Sequence, residues 1–243
     1  MHLATSGGNV PESGYDEYIA ARVAEVRQRM SHARALGGHH QEVTLVAVTK
    51  THGPDAVRAA WRAGVRDVGE NKVQEAEAKM GQVPPDVLVR WHLIGHLQRN
   101  KAKAAVRFAL IHSIDSERLA LAVNEAAIAV HHVQEVLVQV NVSGEATKGG
   151  IAPADVAALA GRLLECGGLR VVGVMTMAPF DSPETVLRHV FRGARATREQ
   201  FRAAGHPATE LSMGMSDDFE VAVQEGATLV RLGTVLFGHR ASP

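Results

Sequence analysis

Several kinds of protein are excluded by what this sequence lacks. Its 243 residues include one cysteine, Cys166. One cysteine makes no internal disulfide and no metal cluster. Its neighbours Glu165, Gly167 and Gly168 offer no positive setting to activate a thiol, so a small buried thiol on a helix is expected. Net charge is absent as well: 26 basic residues balance 26 acidic ones. Binding to nucleic acid or to an anionic membrane needs clustered positive charge, and neither partner is expected. No apolar run approaches the ~18 residues that span a bilayer. Residues 1–14 have no basic stretch followed by an apolar one. They read as a flexible leader before a single domain over residues 15–243, and the expected compartment is the cytoplasm. Aromatics are 4% of the chain, and the only two tyrosines, Tyr15 and Tyr18, fall together. Lysine is scarce, since arginine supplies most of the basic residues.

Apolar residues make up 46% of the chain, which is incompatible with disorder. Ile19, Val23, Val26 and Met30 recur at helical spacing, predicting a helix from Tyr15 to Leu36. Strand and helix patterns then alternate. Strands are expected at Val43–Thr49, Val65–Val68, Trp91–Ile94, Phe108–His112, Glu135–Val142, Leu169–Thr176, Glu210–Ser212 and Thr228–Leu232. Helices are expected at Pro54–Gly64, Asn71–Met80, Gln98–Val106, Ser116–Ala129, Pro153–Leu164, Pro183–Ala204 and Asp217–Gln224, with a short tail after the last strand. Strands rich in Val, Ile and Leu point to a parallel sheet covered on both faces. About eight such units in ~200 residues favour a single α/β (β/α)8 TIM barrel over an open sheet. The last unit has no long helix, and the extra N-terminal helix is expected to cover that gap.

Chemistry in such barrels collects at the C-terminal strand ends. Two loops there are rich in small residues: SMGMS (Ser212–Ser216) after the seventh strand and RLGT (Arg231–Thr234) after the eighth. Backbone N–H groups in such loops hold phosphate, and barrels often bind phosphate at this pair of loops. Lys50 ends the most apolar strand. Burial lowers a lysine pKa and makes the neutral amine a nucleophile toward an aldehyde. Lys72 and Lys148 are weaker competitors. His39-His40 and His131-His132 are expected on the surface. His92 and His96 span a strand and its loop, so helical zinc geometry does not apply. Asp217-Asp218 are expected to favour a helix start through its dipole, and Asp115 or Ser116 to cap the helix that follows.

At these residues the sequence resembles the pyridoxal phosphate homeostasis proteins, single-domain relatives of the alanine racemase barrel. The matching segments are VAVTKTH around Lys50, GENKVQEA, WHLIGHLQRNK, SID, QVNVSGEATKGG, GVMTMAP, ELSMGMSDDFEVAVQEGAT and VRLGTVLFG. The resemblance covers Tyr15 to Arg240. It implies that Lys50 holds pyridoxal 5'-phosphate (PLP) as a Schiff base, and that Ser212, Met213, Gly233 and Thr234 cradle the phosphate. It places Arg231 opposite the pyridine nitrogen, Asn71 and His92 near the ring or its hydroxyl, and Met175 in the pocket lining. A racemase also needs a tyrosine from a second domain of a partner subunit. The expected function is therefore that of a cofactor carrier or regulator in PLP homeostasis, without robust turnover. It is expected to be a monomer making transient contacts with PLP-dependent apoenzymes. The alternatives are a PLP-dependent amino-acid racemase-like enzyme and a barrel aldolase acting on a phosphorylated sugar.

Overall fold

The computed structural model describes residues 14–145 and 149–238. Lys148 lies outside them, as does the expected leader apart from Gly14. Strands β1 (Thr44–Val48), β2 (Asp67–Glu70), β3 (Arg90–Leu93), β4 (Leu110–Ile114), β5 (Gln134–Gln139), β6 (Leu169–Met175), β7 (Glu210–Ser212) and β8 (Leu229–Leu232) follow in chain order. They pair in parallel and close into a barrel, with β8 returning to β1. The helices are α1 (Tyr15–Gly37), α2 (Pro54–Arg62), α3 (Val73–Met80), α4 (Ala102–Ala105), α5 (Glu117–Ile128), α6 (Val156–Leu163), α7 (Glu184–Ala204), α8 (Phe219–Gln224) and α9 (Thr234–Phe237).

Strand side chains alternate between the two faces. Leu45, Ala47, Val230 and Leu232 point outward and meet the helices in one large apolar layer. Val46, Leu110, Leu137, Val172, Met175 and Leu229 form a smaller cluster inside the barrel. The α7 helix anchors its side of the outer layer with Phe191 and Phe201, both fully buried, each contributing about 1.5–3 kcal/mol. The expected role of α1 holds. Its Ile19, Val23, Val26, Met30 and Ala33 are buried, and it packs against α2, α8 and α9, where the short last helices leave the ring open.

Boundaries differ where a side chain and its backbone part company. β2 starts at Asp67 rather than Val65, because Val65 is buried in the outer layer from the preceding turn. Phe108 is likewise buried while its N–H still bonds Ala105 in a turn, so β4 starts at Leu110. The expected helix Gln98–Val106 is a 3-10 turn, Arg99–Lys101, followed by the four residues of α4. The expected plain tail contains α9. Cys166 is buried as expected but sits in the turn after α6, and burial pushes its thiol pKa up.

Candidate functional site

Lys50 stands two residues beyond β1, half-buried at the C-terminal mouth of the barrel. The chain on either side of it is held firmly. The Thr49 carbonyl accepts a hydrogen bond from Lys79 Nζ at 2.7 Å, and Thr49 Oγ1 donates to Glu70 Oε1 at 2.6 Å. Lys79, reaching in from α3, also donates to Glu70 Oε1 at 2.5 Å. Glu70 and Lys79 are both buried. Burial raises the Glu70 pKa above the ordinary value, and the bonds from Lys79 and Thr49 only partly oppose it. On the other side, Thr51 adopts φ 66°, a conformation costing a β-branched residue about 1–3 kcal/mol. Its N–H donates to Glu75 Oε1 at 2.6 Å. Next along the mouth, Asn71 packs its backbone on Gly95. A Cβ at Gly95 would lie 2.3 Å from the Asn71 carbonyl oxygen, so only glycine fits there.

Arg231 occupies β8, with Val46 of β1 as its register partner. It is 4% exposed. Its Nη1 donates to Ser212 Oγ at 2.6 Å and its Nη2 to the Thr176 carbonyl at 3.0 Å. Burial lowers its pKa to about 10, with Asp218 opposing, so it stays a cation at neutral pH. Asp218 stands at the N-cap of α8, at the helix start as expected, but makes no side-chain cap bond there. It is buried, and its Oδ1 accepts the Met215 N–H at 2.6 Å, which tightens the SMGMS loop. In that loop Gly214 has φ 96°, and a Cβ on it would lie 2.7 Å from Ala222 Cβ. Thr234, exposed at the start of α9, donates from Oγ1 to Ser216 Oγ at 3.0 Å. Ser216 Oγ also accepts the Val235 N–H at 3.2 Å. Gly233 faces the end of β1, where a Cβ would approach Val48 to 3.5 Å. The two glycine-bearing loops are thus tied together beside the lysine strand.

Inside the barrel a chain of buried polar groups leads away from Arg231. Ser212 Oγ lies 2.8 Å from His112 Nδ1, His112 Nε2 lies 2.9 Å from His92 Nδ1, and His92 Nε2 lies 2.8 Å from Asp67 Oδ1. Three of the expected site residues are engaged within the barrel or the outer layer. The Ser212 hydroxyl turns into the barrel toward His112 and Arg231. His92 lies deeper than the mouth and reaches Arg231 only through His112 and Ser212. Met213 buries its side chain in the outer layer and gives its N–H to Leu229, so it shapes the loop. Met175, 1% exposed, packs inside the barrel with Met177 against its cluster. The remaining histidines behave more simply. His96 pairs with Asp115 at 3.0 Å near the surface, and His39-His40 and His131-His132 are exposed. Ser116 caps α5 by accepting the Leu119 N–H at 3.3 Å.

The sequence pattern left Asp67, Lys79, His112 and Thr176 unassigned and named Ser216 only as the last residue of the SMGMS loop. For Asp67, His112 and Thr176 the signal was a polar residue inside an otherwise apolar strand or at its end, which shows no partner until the barrel closes; Lys79 lies on α3, where a lysine reads as an ordinary helix residue. Among the described residues no group of His, Cys, Asp and Glu is placed to hold a metal ion, and no helix is long and apolar enough to cross a membrane.

The fold and the site define a class: a closed eight-stranded barrel with two linked glycine-bearing loops, a buried guanidinium and a lysine gathered at the ends of three adjoining strands, β7, β8 and β1. Residues 21–241 match the family model for the N-terminal domain of alanine racemase. Over 223 residues the chain is 40% identical to the pyridoxal phosphate homeostasis protein of Aquifex aeolicus, covering 90% of this chain and 97% of that protein. The protein of the same name from Pseudomonas aeruginosa is 42% identical over 224 residues, covering 91% and 96%. The structure of PipY from Synechococcus elongatus with PLP bound superposes with a TM-score of 0.79 at 38% identity, covering 90% of this chain and all of that one. The chain belongs to the pyridoxal phosphate homeostasis protein family.

Proposed function

We propose that the chain binds pyridoxal 5'-phosphate at the barrel mouth and serves cytoplasmic PLP homeostasis as a carrier or regulator of the cofactor, without enzymatic turnover. The observation that carries this reading is the cationic Arg231, buried beside the Lys50 strand and between the two glycine-bearing loops. These residues fit the group. Lys50 offers an amine on a fixed backbone. The loops around Gly214 and Gly233, with the Ser216 and Thr234 hydroxyls, offer donors for a phosphate. Ser212 contributes by holding Arg231 opposite the ring nitrogen, and Met213 by shaping its loop. Asn71 borders the mouth, Met175 packs beneath it, and His92 supports Arg231 through His112. When bound, PLP supplies an aldehyde for lysine capture and an electron-withdrawing ring.

Arg231 weakens the ring as an electron sink. A cation opposite the ring nitrogen disfavours its protonation, because two positive charges would meet. A racemase also needs a base on the far face of the ring. Tyr15 and Tyr18 are both on α1, in the outer helix layer, with the Tyr18 hydroxyl near Gly238. The named relatives and PLP-bound PipY support the cofactor; the position of Tyr15 and Tyr18 on α1, in the outer helix layer, supports the carrier role. A monomer, with transient contacts to apoenzymes, completes the proposal. Equilibrium dialysis against PLP and against pyridoxal tests the binding. Tight binding of PLP with weak binding of pyridoxal is expected, and equal affinity for the two contradicts the phosphate cradle.

A further inference from the structure

The buried polar chain beneath the mouth has two ends that leave no freedom of choice. A guanidinium only donates hydrogen bonds, and a carboxylate only accepts them. Asp67 is held as a carboxylate. Burial favours its neutral form, but hydrogen bonds from His92 and Arg90 outweigh this and keep its pKa below the ordinary value. Arg90 Nε lies 2.8 Å from Asp67 Oδ1 and Arg90 Nη2 3.0 Å from Oδ2. His92 Nε2 must therefore carry the proton that bonds Asp67. In a neutral ring His92 Nδ1 is then bare and must accept from His112 Nε2–H. His112 Nδ1 is in turn bare and accepts the Ser212 hydroxyl proton, which leaves the Ser212 oxygen to accept from Arg231. At the other end the Ser212 oxygen accepts from Arg231 and keeps its own proton to give to His112 Nδ1, which is compatible with that assignment. Every donor points toward Asp67 and every acceptor toward Arg231.

We propose that Asp67, His92 and His112 are positioning residues that, with Ser212, form a one-way hydrogen-bond relay holding the Arg231 cation in place at the mouth. The proposal rests on the functional reading only in assigning Arg231 to the cofactor ring. The aligned bonds polarise one another and present an acceptor to a guanidinium that has lost nearly all contact with water. The relay crosses β2, β3, β4, β7 and β8, so it links Arg231 to the far side of the barrel without a charged group in the middle. The rival arrangement is a doubly protonated His92 with the proton of His112 on Nδ1. It directs a second N–H at Ser212 Oγ beside that of Arg231 and buries a second cation.

Nitrogen-15 NMR of the histidine rings in the cofactor-free protein distinguishes the two arrangements without any variant. The expected result is that His92 and His112 both carry hydrogen on Nε2 alone. A proton on Nδ1 of either ring, or a doubly protonated His92, overturns the relay. The second arm is Asp67→Asn, whose amide can donate as well as accept. Its expected effect is a population of Nδ1–H tautomer at His92, with PLP binding weakened roughly tenfold; an unchanged tautomer with unchanged binding overturns the proposal. Ser212→Ala should weaken binding yet leave His92 as Nε2–H, because Asp67 still anchors it; a flipped His92 there overturns the assignment of direction. If the native protein fails to bind PLP, the functional reading falls while the tautomers are still measured. If it binds PLP with the wrong tautomers, the relay alone falls.

Discussion

Replacing Lys79 by methionine removes the ammonium that holds the floor beneath Lys50. Methionine is unbranched and flexible, so it fills most of the same space. What remains is Glu70, fully buried, with the Thr49 hydroxyl as its partner at 2.6 Å on Oε1. Its Oε2 is buried and unpartnered among the described residues. Removing one member of a buried ion pair costs about 3–5 kcal/mol, because an uncompensated charge is left in the interior. A domain's whole stability is about 5–15 kcal/mol, so Lys79→Met should consume about a fifth of it or more. Replacing both charges removes the penalty, and Glu70→Gln/Lys79→Met should recover to within about 1–2 kcal/mol of the native protein. Urea unfolding of the two single variants and the double variant measures the cycle. A loss below about 1 kcal/mol in Lys79→Met, or a double variant as unstable as the sum of the singles, refutes the reasoning. Because Lys79 also bonds the Thr49 carbonyl, both variants that lack it should loosen Lys50 and bind PLP more weakly than their stabilities alone explain.

The remaining predictions concern the cradle, the buried histidine and turnover. Thr234→Val and Ser216→Ala each remove a hydroxyl from the linked loops and should weaken PLP binding by about 1.5–3 kcal/mol if the hydroxyl faces the phosphate, with pyridoxal binding little changed; isothermal titration measures both. Burial depresses the His112 pKa well below its ordinary value, with His92 and Arg231 adding to the effect. The unfolded chain therefore takes up a proton below about pH 6.5 that the folded protein refuses. Stability should fall on acidification from pH 6.5 to 5.5, by up to about 1.4 kcal/mol per pH unit from this group; a His112→Asn variant with an unchanged slope contradicts this. Steady-state assays of the PLP-loaded protein across the amino acids should show no racemase, transaminase or decarboxylase turnover near the usual ~1–10³ per second, and such turnover on any of them ends the carrier reading.

The barrel was legible because its strands are Val-, Ile- and Leu-rich runs of strand length separated by glycines. The eight strands and the gap-covering role of α1 follow from that periodicity. Ends were less legible where burial and backbone pairing diverge: Val65 and Phe108 read as strand because they are apolar, yet both belong to turns. The mouth was legible in part. Lys50, the two loops and Arg231 stand at strand ends, where local sequence is enough. Directions inside the barrel were not. Ser212 and His92 read as mouth residues, and only closure brings His112, 100 positions from Ser212, into line between them. The bracket under Lys50 was hidden for the same reason, since Lys79 and Thr49 are separated by 30 positions.

The central claim is that Lys50 is the residue that holds the cofactor. Incubation of the protein with PLP, borohydride reduction and peptide mass spectrometry test it most directly. One phosphopyridoxyl group is expected, on the peptide carrying Lys50, with loss of both the label and the visible absorbance band in Lys50→Ala. A label on Lys72 or Lys148 in the native protein, or a band that persists in Lys50→Ala, would contradict it.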